Sequence, residues 1–138
     1  MKKNNKIKTK TKVVETAVKG TEEEVFFMLP REVVVKELAG YVKCVDEDKV
    51  EIWNEMDLME VVLEHDSLIF ENMMDTFDTD EDLALLEKLQ VKKVYSVLYN
   101  SLDIDQVKAV LAELHEEVNG FLASDTEDLE PMMEVMDL

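Results

Sequence analysis

Glycine, cysteine and histidine are scarce in this sequence, and each shortage excludes a class of site. The three glycines, at positions 20, 40 and 120, lie too far apart to form a glycine-rich phosphate-binding loop. Cys44 is the single cysteine, so no disulfide can form within the chain. A structural zinc would need Cys44 together with the distant His65 and His115. We therefore expect no metal and no other cofactor.

Long apolar runs are also missing. The longest unbroken run, Val25 to Leu29, is far shorter than the ~20 residues that a membrane-spanning helix needs. The N-terminal residues lack the apolar core of a signal peptide. We expect a soluble, cytoplasmic protein that has no membrane partner.

What the sequence has in excess is acid. Its 138 residues carry a formal net charge of −18, yet 46% of them are hydrophobic, which is typical of a folded domain and not of a disordered acidic tail. The charge is unevenly distributed, because residues 1–20 hold seven Lys and one Glu, a net charge of +6, and the remainder carries −24. Such an acidic body repels nucleic acid and attracts basic proteins, so we expect no direct nucleic-acid binding by it.

The lysine-rich start, residues 1–12, has three interpretations. We favour a mobile, solubilising leader, which can also fold against the acidic body of its own chain. A nucleic-acid-binding arm is the second interpretation, and it is weakened by the absence of Arg and aromatic residues for base recognition. An edge strand is the third, because Lys and Thr alternate here and Lys on an edge strand discourages aggregation.

The predicted fold is α+β. A small antiparallel sheet from the N-terminal third would pack with a helical C-terminal two-thirds of about four to five helices, and a mostly α fold is the alternative. Residues 13–124 form the single acidic globular domain in this interpretation, and residues 125–138 an acidic-hydrophobic C-terminal segment. Val and Thr content predicts a hairpin from Lys12 to Val18 and Val25 to Leu29. A second hairpin would join Tyr41 to Val45 with Val50 to Trp53.

Apolar spacing predicts the helices. Pro30 suits the first turn of a short helix that continues through Val34, Leu38, Tyr41 and Val42 with Gly40 as a candidate stop, although three consecutive Val also favour a strand. Two further helices are predicted from Asn54 to about His65 and from Ser67 to Phe77, the second on an i, i+4, i+7 apolar stripe. Thr79 with Asp82 has the pattern of a helix cap.

Beyond residue 89 the apolar stripe changes phase, which predicts a break near Gln90 and a rotated helical stripe that includes Val94 and Leu98. The clearest helix runs from Asp103 to about Asn119, with Asp103 and Gln106 as its capping pair. The C-terminal segment would form a short helix from Pro131 or a frayed end.

Acidic spacing near residue 80 resembles the start of a calcium loop but does not continue as one. Asp78, Asp80 and Asp82 alternate as the first EF-hand ligands do, but Leu83 replaces the required Gly and Leu89 the required Glu. Acids also favour the positive end of a helix dipole, and we interpret these residues that way. His65 and His115 fit no metal or catalytic motif. We expect no catalytic residue and no enzyme.

Two groups of residues are predicted to bind partners. The acids that would line a stripe are Asp75, Asp78, Asp80, Glu81, Asp82, Glu113, Glu116 and Glu117. The methionines near the C-terminus, which could dock a partner because Met surfaces adapt, are Met132, Met133 and Met136. The earlier Met56, Met59, Met73 and Met74 fit core positions better.

These features favour a non-enzymatic, acidic protein-binding module. In size, charge and helical acidity, and in no sequence motif, the chain resembles the acidic inhibitors that bacteriophages and mobile elements direct at restriction or CRISPR nucleases, often described as DNA mimics. That resemblance implies a basic protein partner, such as a nucleic-acid-binding enzyme whose groove the carboxylates occupy. The alternative is an acidic adaptor or secretion-type chaperone that binds a client through an apolar groove. A homodimer is compatible with both.

Overall fold

The computed structural model describes residues 20–124, 126, 129–130 and 132–138. Within them the chain forms one seven-stranded sheet and three α-helices. The elements in chain order are β1 (Glu22–Leu29), α1 (Val35–Tyr41), β2 (Val50–Trp53), β3 (Leu58–Val62), β4 (Ser67–Asn72), α2 (Asp80–Lys88), β5 (Lys93–Asn100), α3 (Ile104–Val118), β6 (Phe121–Ala123) and β7 (Met132–Met133). None of these helices is both long and apolar enough to cross a membrane.

All neighbouring strands of the sheet are antiparallel, in the order β2-β3-β4-β5-β1-β6-β7. Strands β2, β3 and β4 follow one another as a meander. The long strands β1 and β5 pair at the centre along their whole length, from Glu22 opposite Asn100 to Leu29 opposite Lys93. This register fixes which side chains share a face, because successive residues of a strand point to opposite sides.

One face of the sheet is covered by α1 and α3. Its strand residues, such as Phe27, Phe70 and Tyr95, are fully buried. The apolar stripe of α3, which includes Leu111 and Leu114, packs against them. These residues form the main core of the domain, and we call this side the covered face.

Among the described residues, cover on the opposite face is confined to one end. Phe26 and Met28 of β1 point to this side and pack with Leu86 of α2 and with Phe77, which precedes that helix. The rings of Phe26 and Phe77 meet edge to face, with 5.7 Å between their centroids. Helix α2 therefore lies on the side of the sheet opposite to α1 and α3.

Several sequence predictions are confirmed. The strand at Val25 to Leu29 lies within β1, and the short helix predicted next is α1, although it begins at Val35 and not at Pro30. The Thr79 hydroxyl caps α2 by accepting from the Asp82 N–H at 3.1 Å. Helix α3 ends before Asn119, which adopts the left-handed conformation at φ 58°.

The predicted fold class is wrong in its proportions. The C-terminal two-thirds is not a bundle of four to five helices, and the mostly α alternative fails as well, because the sheet extends from residue 22 to residue 133. The two helices predicted between Asn54 and Phe77 are the strands β3 and β4. In both strands the buried residues alternate with more exposed ones, although the same apolar residues also fit helical spacing.

Strand pairing also differs from the predicted hairpins. The break near Gln90 is present, with Gln90 at φ 59°, but the chain continues as β5 and not as a rotated helix. Strand β2 pairs with β3, not with Tyr41 to Val45, which forms no described strand. The predicted strand from Lys12 to Val18 lies outside the described residues.

The capping pair predicted for α3 has a different role. The Asp103 carboxylate makes no cap hydrogen bond to α3 and instead accepts from the backbone N–H groups of His65 and Asp66, at 3.0 and 2.9 Å. Gln106 Oε1 accepts from the Glu64 N–H at 3.1 Å. Both side chains therefore hold the loop between β3 and β4 against the start of α3.

Candidate functional site

On the side of the sheet that carries α2, the part that α2 leaves uncovered is an open face. It is formed by residues of β1 to β5 that point away from α1 and α3. Its carboxylates are Glu22, Glu24, Glu51, Glu60 and Glu71, and none of the strand residues that share this face is Lys or Arg. All of these carboxylates except Glu60, which is half-buried, are exposed. No described helix lies over them. We call this surface the open face.

Apolar side chains lie between these carboxylates. They are Trp53, Leu58, Val62, Ile69 and Leu98, each exposed or half-buried. The register places Leu98 and Ile69 in one row between Glu24 on β1 and Glu60 on β3. Exposed apolar side chains that are surrounded by polar residues are typical of surfaces that bind another protein.

The register also sets like charges against each other. Glu51 of β2 lies directly opposite Glu60 of β3, an arrangement that destabilises a sheet. Two glutamates are held in place by serines, since the Ser67 hydroxyl donates to Glu60 and the Ser96 hydroxyl donates to Glu24. The three ion pairs of the described chain all lie elsewhere. The carboxylates of the open face therefore have no Lys, Arg or His among the described residues as an ion-pair partner.

The first group of predicted binding acids lies on the same side of the sheet as the open face. Asp75, Asp78, Asp80 and Glu81 are exposed and Asp82 is half-buried. They precede α2 or form its first turn, next to Phe77, whose ring packs on Phe26. Phe26 is directly opposite Ser96 in the register, and the open face ends at these two residues. The acids beside Phe77 therefore adjoin the end of the open face.

The second group lies on the other side of the molecule. Glu113, Glu116 and Glu117 belong to α3, on the covered face, so the structure does not join them with the acids of α2 into one stripe. Glu116 and Glu117 are exposed, but Glu113 has a structural contact. Its Oε1 accepts from the backbone N–H groups of Lys43 and Cys44 at 2.9 and 3.0 Å.

These contacts shift the pKa values of the Glu113 carboxyl and the Cys44 thiol. Burial alone would raise the pKa of Glu113, but the hydrogen bonds from Lys43 and Cys44 outweigh it and leave that pKa lowered. Partial burial and the neighbouring Glu113 carboxylate raise the pKa of the Cys44 thiol to about 11. Cys44 is therefore a protonated, weakly nucleophilic thiol at neutral pH.

The predicted methionine group is divided. Met132 and Met133 form β7 at one edge of the sheet and are half-buried, Met132 toward α2 and Met133 toward α3. Met136 follows in a 3₁₀ turn and is 78% exposed. An open groove of about 390 Å³ runs beside β7 and is lined in part by Leu89, Phe121 and both strand methionines.

A carboxylate–histidine pair lies at the loop between β3 and β4. Asp103 is buried, and its Oδ1 is 2.7 Å from Nδ1 of His65, whose side chain is 42% exposed. The hydrogen bond to Asp103 raises the pKa of His65 above its ordinary value. The same carboxylate binds two backbone N–H groups, so the geometry is that of a loop anchor.

A second polar cluster is almost closed to solvent. Asp57, at φ 50° in the turn between β2 and β3, accepts from Lys93 Nζ at 2.6 Å, from the Tyr95 hydroxyl at 3.0 Å and from the Val35 N–H at 2.9 Å. Burial alone would raise the pKa of Asp57, but these hydrogen bonds outweigh it and lower that pKa. The Lys93 and Asp57 side chains are only 8% and 14% exposed, so the cluster joins α1, β2–β3 and β5 and leaves no room for a substrate.

Sequence reasoning missed the open face and both polar clusters. The sequence signal for the open face is the presence of Glu60 and Glu71 among apolar residues at 58–62 and 67–71, although the period of two is incomplete there. Over the ranges that the structure describes, no three His, Cys, Asp or Glu residues are arranged to hold a metal ion.

Comparison with known proteins gives no assignment: no protein-family model, no curated protein and no solved structure matches this chain.

Proposed function

We propose that this chain is a non-enzymatic module that binds a basic protein through the open face, as an inhibitor that occupies a nucleic-acid-binding groove. The observation that carries the proposal is the set of glutamates that β1 to β4 present on the open face. None of them forms an ion pair with a Lys, Arg or His of the described residues. Carboxylates fixed on a rigid sheet can take the place of phosphates against Lys and Arg, and a field of this strength accelerates association. The acids from Asp75 to Asp82 extend the same surface.

The proposal differs from the sequence-based version in where the carboxylates lie. A single helical stripe would have used α3, but α3 is on the opposite side of the sheet. Glutamate is a poor strand former, and Glu51 opposite Glu60 is unfavourable for folding. Folding alone therefore does not account for these residues, whereas a cationic partner would relieve their repulsion.

The test is a pair of charge-reversal variants with equal changes in charge. Glu51→Lys with Glu71→Lys changes the open face, and Glu116→Lys with Glu117→Lys changes the outer side of α3 as the matched control. Each tagged protein is used to capture partners from a bacterial lysate at low salt, and duplex DNA is then added as a competitor. We expect the wild type and the control to retain a nucleic-acid-binding protein that salt or DNA releases, and the open-face variant to lose it.

Two results would refute the proposal. One is capture that survives high salt, because an electrostatic interface is screened by added ions. The other is equal loss of capture in both variants, which would mean that overall charge and not the open face determines binding.

A second candidate function has its own observation. The groove of about 390 Å³ beside β7, with the exposed Met136 nearby, suits an adaptor that binds an apolar client segment. This function predicts capture that is insensitive to salt and to the open-face variant, but is lost when Met132 and Met136 are replaced by Gln.

A further inference from the structure

We propose that residues 1–19 of this chain bind the open face of the same molecule and compete there with the basic partner. The docking of this segment is independent of the proposed function, whereas the competition rests on it. The first argument is charge complementarity. The segment contains seven Lys and one Glu, and the open face carries five glutamates with no Lys or Arg among the strand residues that share it.

The second argument is the point at which the segment meets the domain. Thr21 is fixed at the end of β5, since its N–H donates to Ser101 Oγ at 2.9 Å and its carbonyl accepts from the Ser101 N–H at 2.8 Å. The next residue, Glu22, already belongs to the open face. The segment therefore leaves the described fold at the margin of the surface that complements it.

Gly20 fixes the direction of the chain at this margin. It has φ +69°, which favours glycine, and a Cβ there would lie 2.4 Å from Asn100 Oδ1 and 2.6 Å from Leu102 Cγ. Any other residue would have to displace the side chains of Asn100 and Leu102. The geometry of the junction is thus set by the fold, close beside Glu22.

The third argument is reach. The open face spans five strands, about 19 Å at the usual spacing of ~4.8 Å between neighbouring strands. Nineteen residues can extend about 60 Å, so the segment is long enough to cross the whole face. Lys6, Lys8, Lys10 and Lys12 alternate with Ile and Thr, and an extended chain would place these four lysines on one side, ~6.6 Å apart.

Tethering makes even a weak contact effective. A short flexible connection gives an effective concentration on the order of 1 mM, so a segment with a dissociation constant of about 0.1 mM would occupy the face most of the time. A competing partner would then bind about tenfold more weakly than it would to the unoccupied face. The segment would act as a built-in competitor that only a sufficiently basic partner displaces.

The test uses the full-length chain and two variants with equal loss of charge. The first changes Lys6, Lys8, Lys10 and Lys12 to Gln. The matched control changes four exposed lysines of the body, Lys36, Lys49, Lys88 and Lys92, to Gln. The affinity of each for a fluorescent octalysine peptide is measured by anisotropy. We expect the first variant to bind the peptide about three- to tenfold more tightly than the control, although both carry the same net charge.

Carbodiimide cross-linking of the wild-type chain then locates the segment, because this reagent joins an amine to a carboxylate in direct contact. We expect lysines of residues 1–12 to be joined to Glu24, Glu51, Glu60 or Glu71. Cross-links mainly to Glu116 and Glu117, or between isotopically distinct molecules in a mixture, would overturn the proposal. Equal peptide affinities of the two variants would overturn it as well.

The two proposals can fail separately. Cross-links to the open face together with capture that survives high salt would support this inference and refute the proposed function. Capture and displacement without any such cross-link would refute this inference alone.

Discussion

The two faces of the one sheet have opposite character, although the same strands build both. On the covered face most strand residues are apolar and buried beneath α1 and α3, and the polar groups at its margins, Asp57 and Asp103, have hydrogen-bond partners. On the open face, glutamates alternate with half-exposed apolar residues, and two of them oppose each other. The covered face accounts for folding, which leaves the open face available for binding.

The largest difference between the faces should appear when an apolar side chain is replaced. Phe70→Ala empties a fully buried position where the ring meets Phe27 edge to face, and we expect the free energy of unfolding to fall by about 4 kcal/mol. Val62→Thr, on the neighbouring strand but on the open face, should change it by less than ~0.5 kcal/mol. Urea denaturation measures both. Similar losses would mean that the side chains of the open face are packed as tightly as those of the covered face.

The buried ion pair should give the next largest effect. Asp57→Asn tolerates the same positive φ but leaves the Lys93 ammonium buried without its counter-charge, which should lower the free energy of unfolding by about 3 kcal/mol. Adding Lys93→Met should restore at least half of the loss, because an apolar side chain needs no partner there. Chemical denaturation of the single and double variants measures both effects. An Asp57→Asn variant as stable as the wild type would show that the ion pair does not stabilise the fold.

Charge reversal on the open face should separate stability from binding. Glu51→Lys replaces a like-charged cross-strand pair by an attractive one with Glu60, so we expect the free energy of unfolding to rise by about 0.5 kcal/mol. The same change should weaken capture of a basic partner. Thermal denaturation alongside the capture assay tests this, and a variant that loses both stability and binding would point to a structural role for Glu51.

The smallest effect should be a pH dependence at the margin of the covered face. Asp103 raises the pKa of His65 above the ordinary 6.5, so protonated His65 stabilises the folded state. This contribution is complete below pH 6.5 and is lost as the pH rises through the raised pKa. The wild type should therefore exceed His65→Gln in stability in mildly acidic solution, and the difference should shrink above neutrality. A difference that does not vary with pH would exclude this pair as its cause.

The elements that sequence reasoning predicted correctly have strong local signals. Helix α3 carries its whole apolar stripe on one side and ends at Asn119, and α2 begins with the Thr79 cap. Both signals lie within a few residues of the structure that they predict. Neither depends on contacts that are distant in sequence.

The strands β3 to β5 could not be recognised so easily. In residues 58–71 the buried residues Met59, Val61, Leu68 and Phe70 alternate with outward residues, but outward Leu58, Val62 and Ile69 are apolar too and obscure the period of two. Strand β5 is buried on both sides over much of its length, and such a strand resembles a buried helix in its pattern.

The candidate site depends on strand register, which one sequence does not reveal. The total acid content was evident, and it led to the prediction of a basic protein partner, which remains a prediction. That Glu24, Glu60 and Glu51 share one row across the sheet follows only from the pairing of β1, β5, β4, β3 and β2. Sequence spacing instead favours one stripe that joins the acids from Asp75 to Asp82 with those of α3, and the acids of α3 lie on the opposite side.

The most direct test of the central claim, that the open face is the binding surface, uses the only tryptophan of the chain. Trp53 is on the open face and is 40% exposed, so its fluorescence responds to what binds beside it. Octalysine, which has no tryptophan, is titrated into the full-length chain. We predict a saturable change in Trp53 emission that high salt and the Glu51→Lys, Glu71→Lys variant abolish and the α3 control retains. Octalysine binding detected by anisotropy while Trp53 emission stays constant would contradict the account.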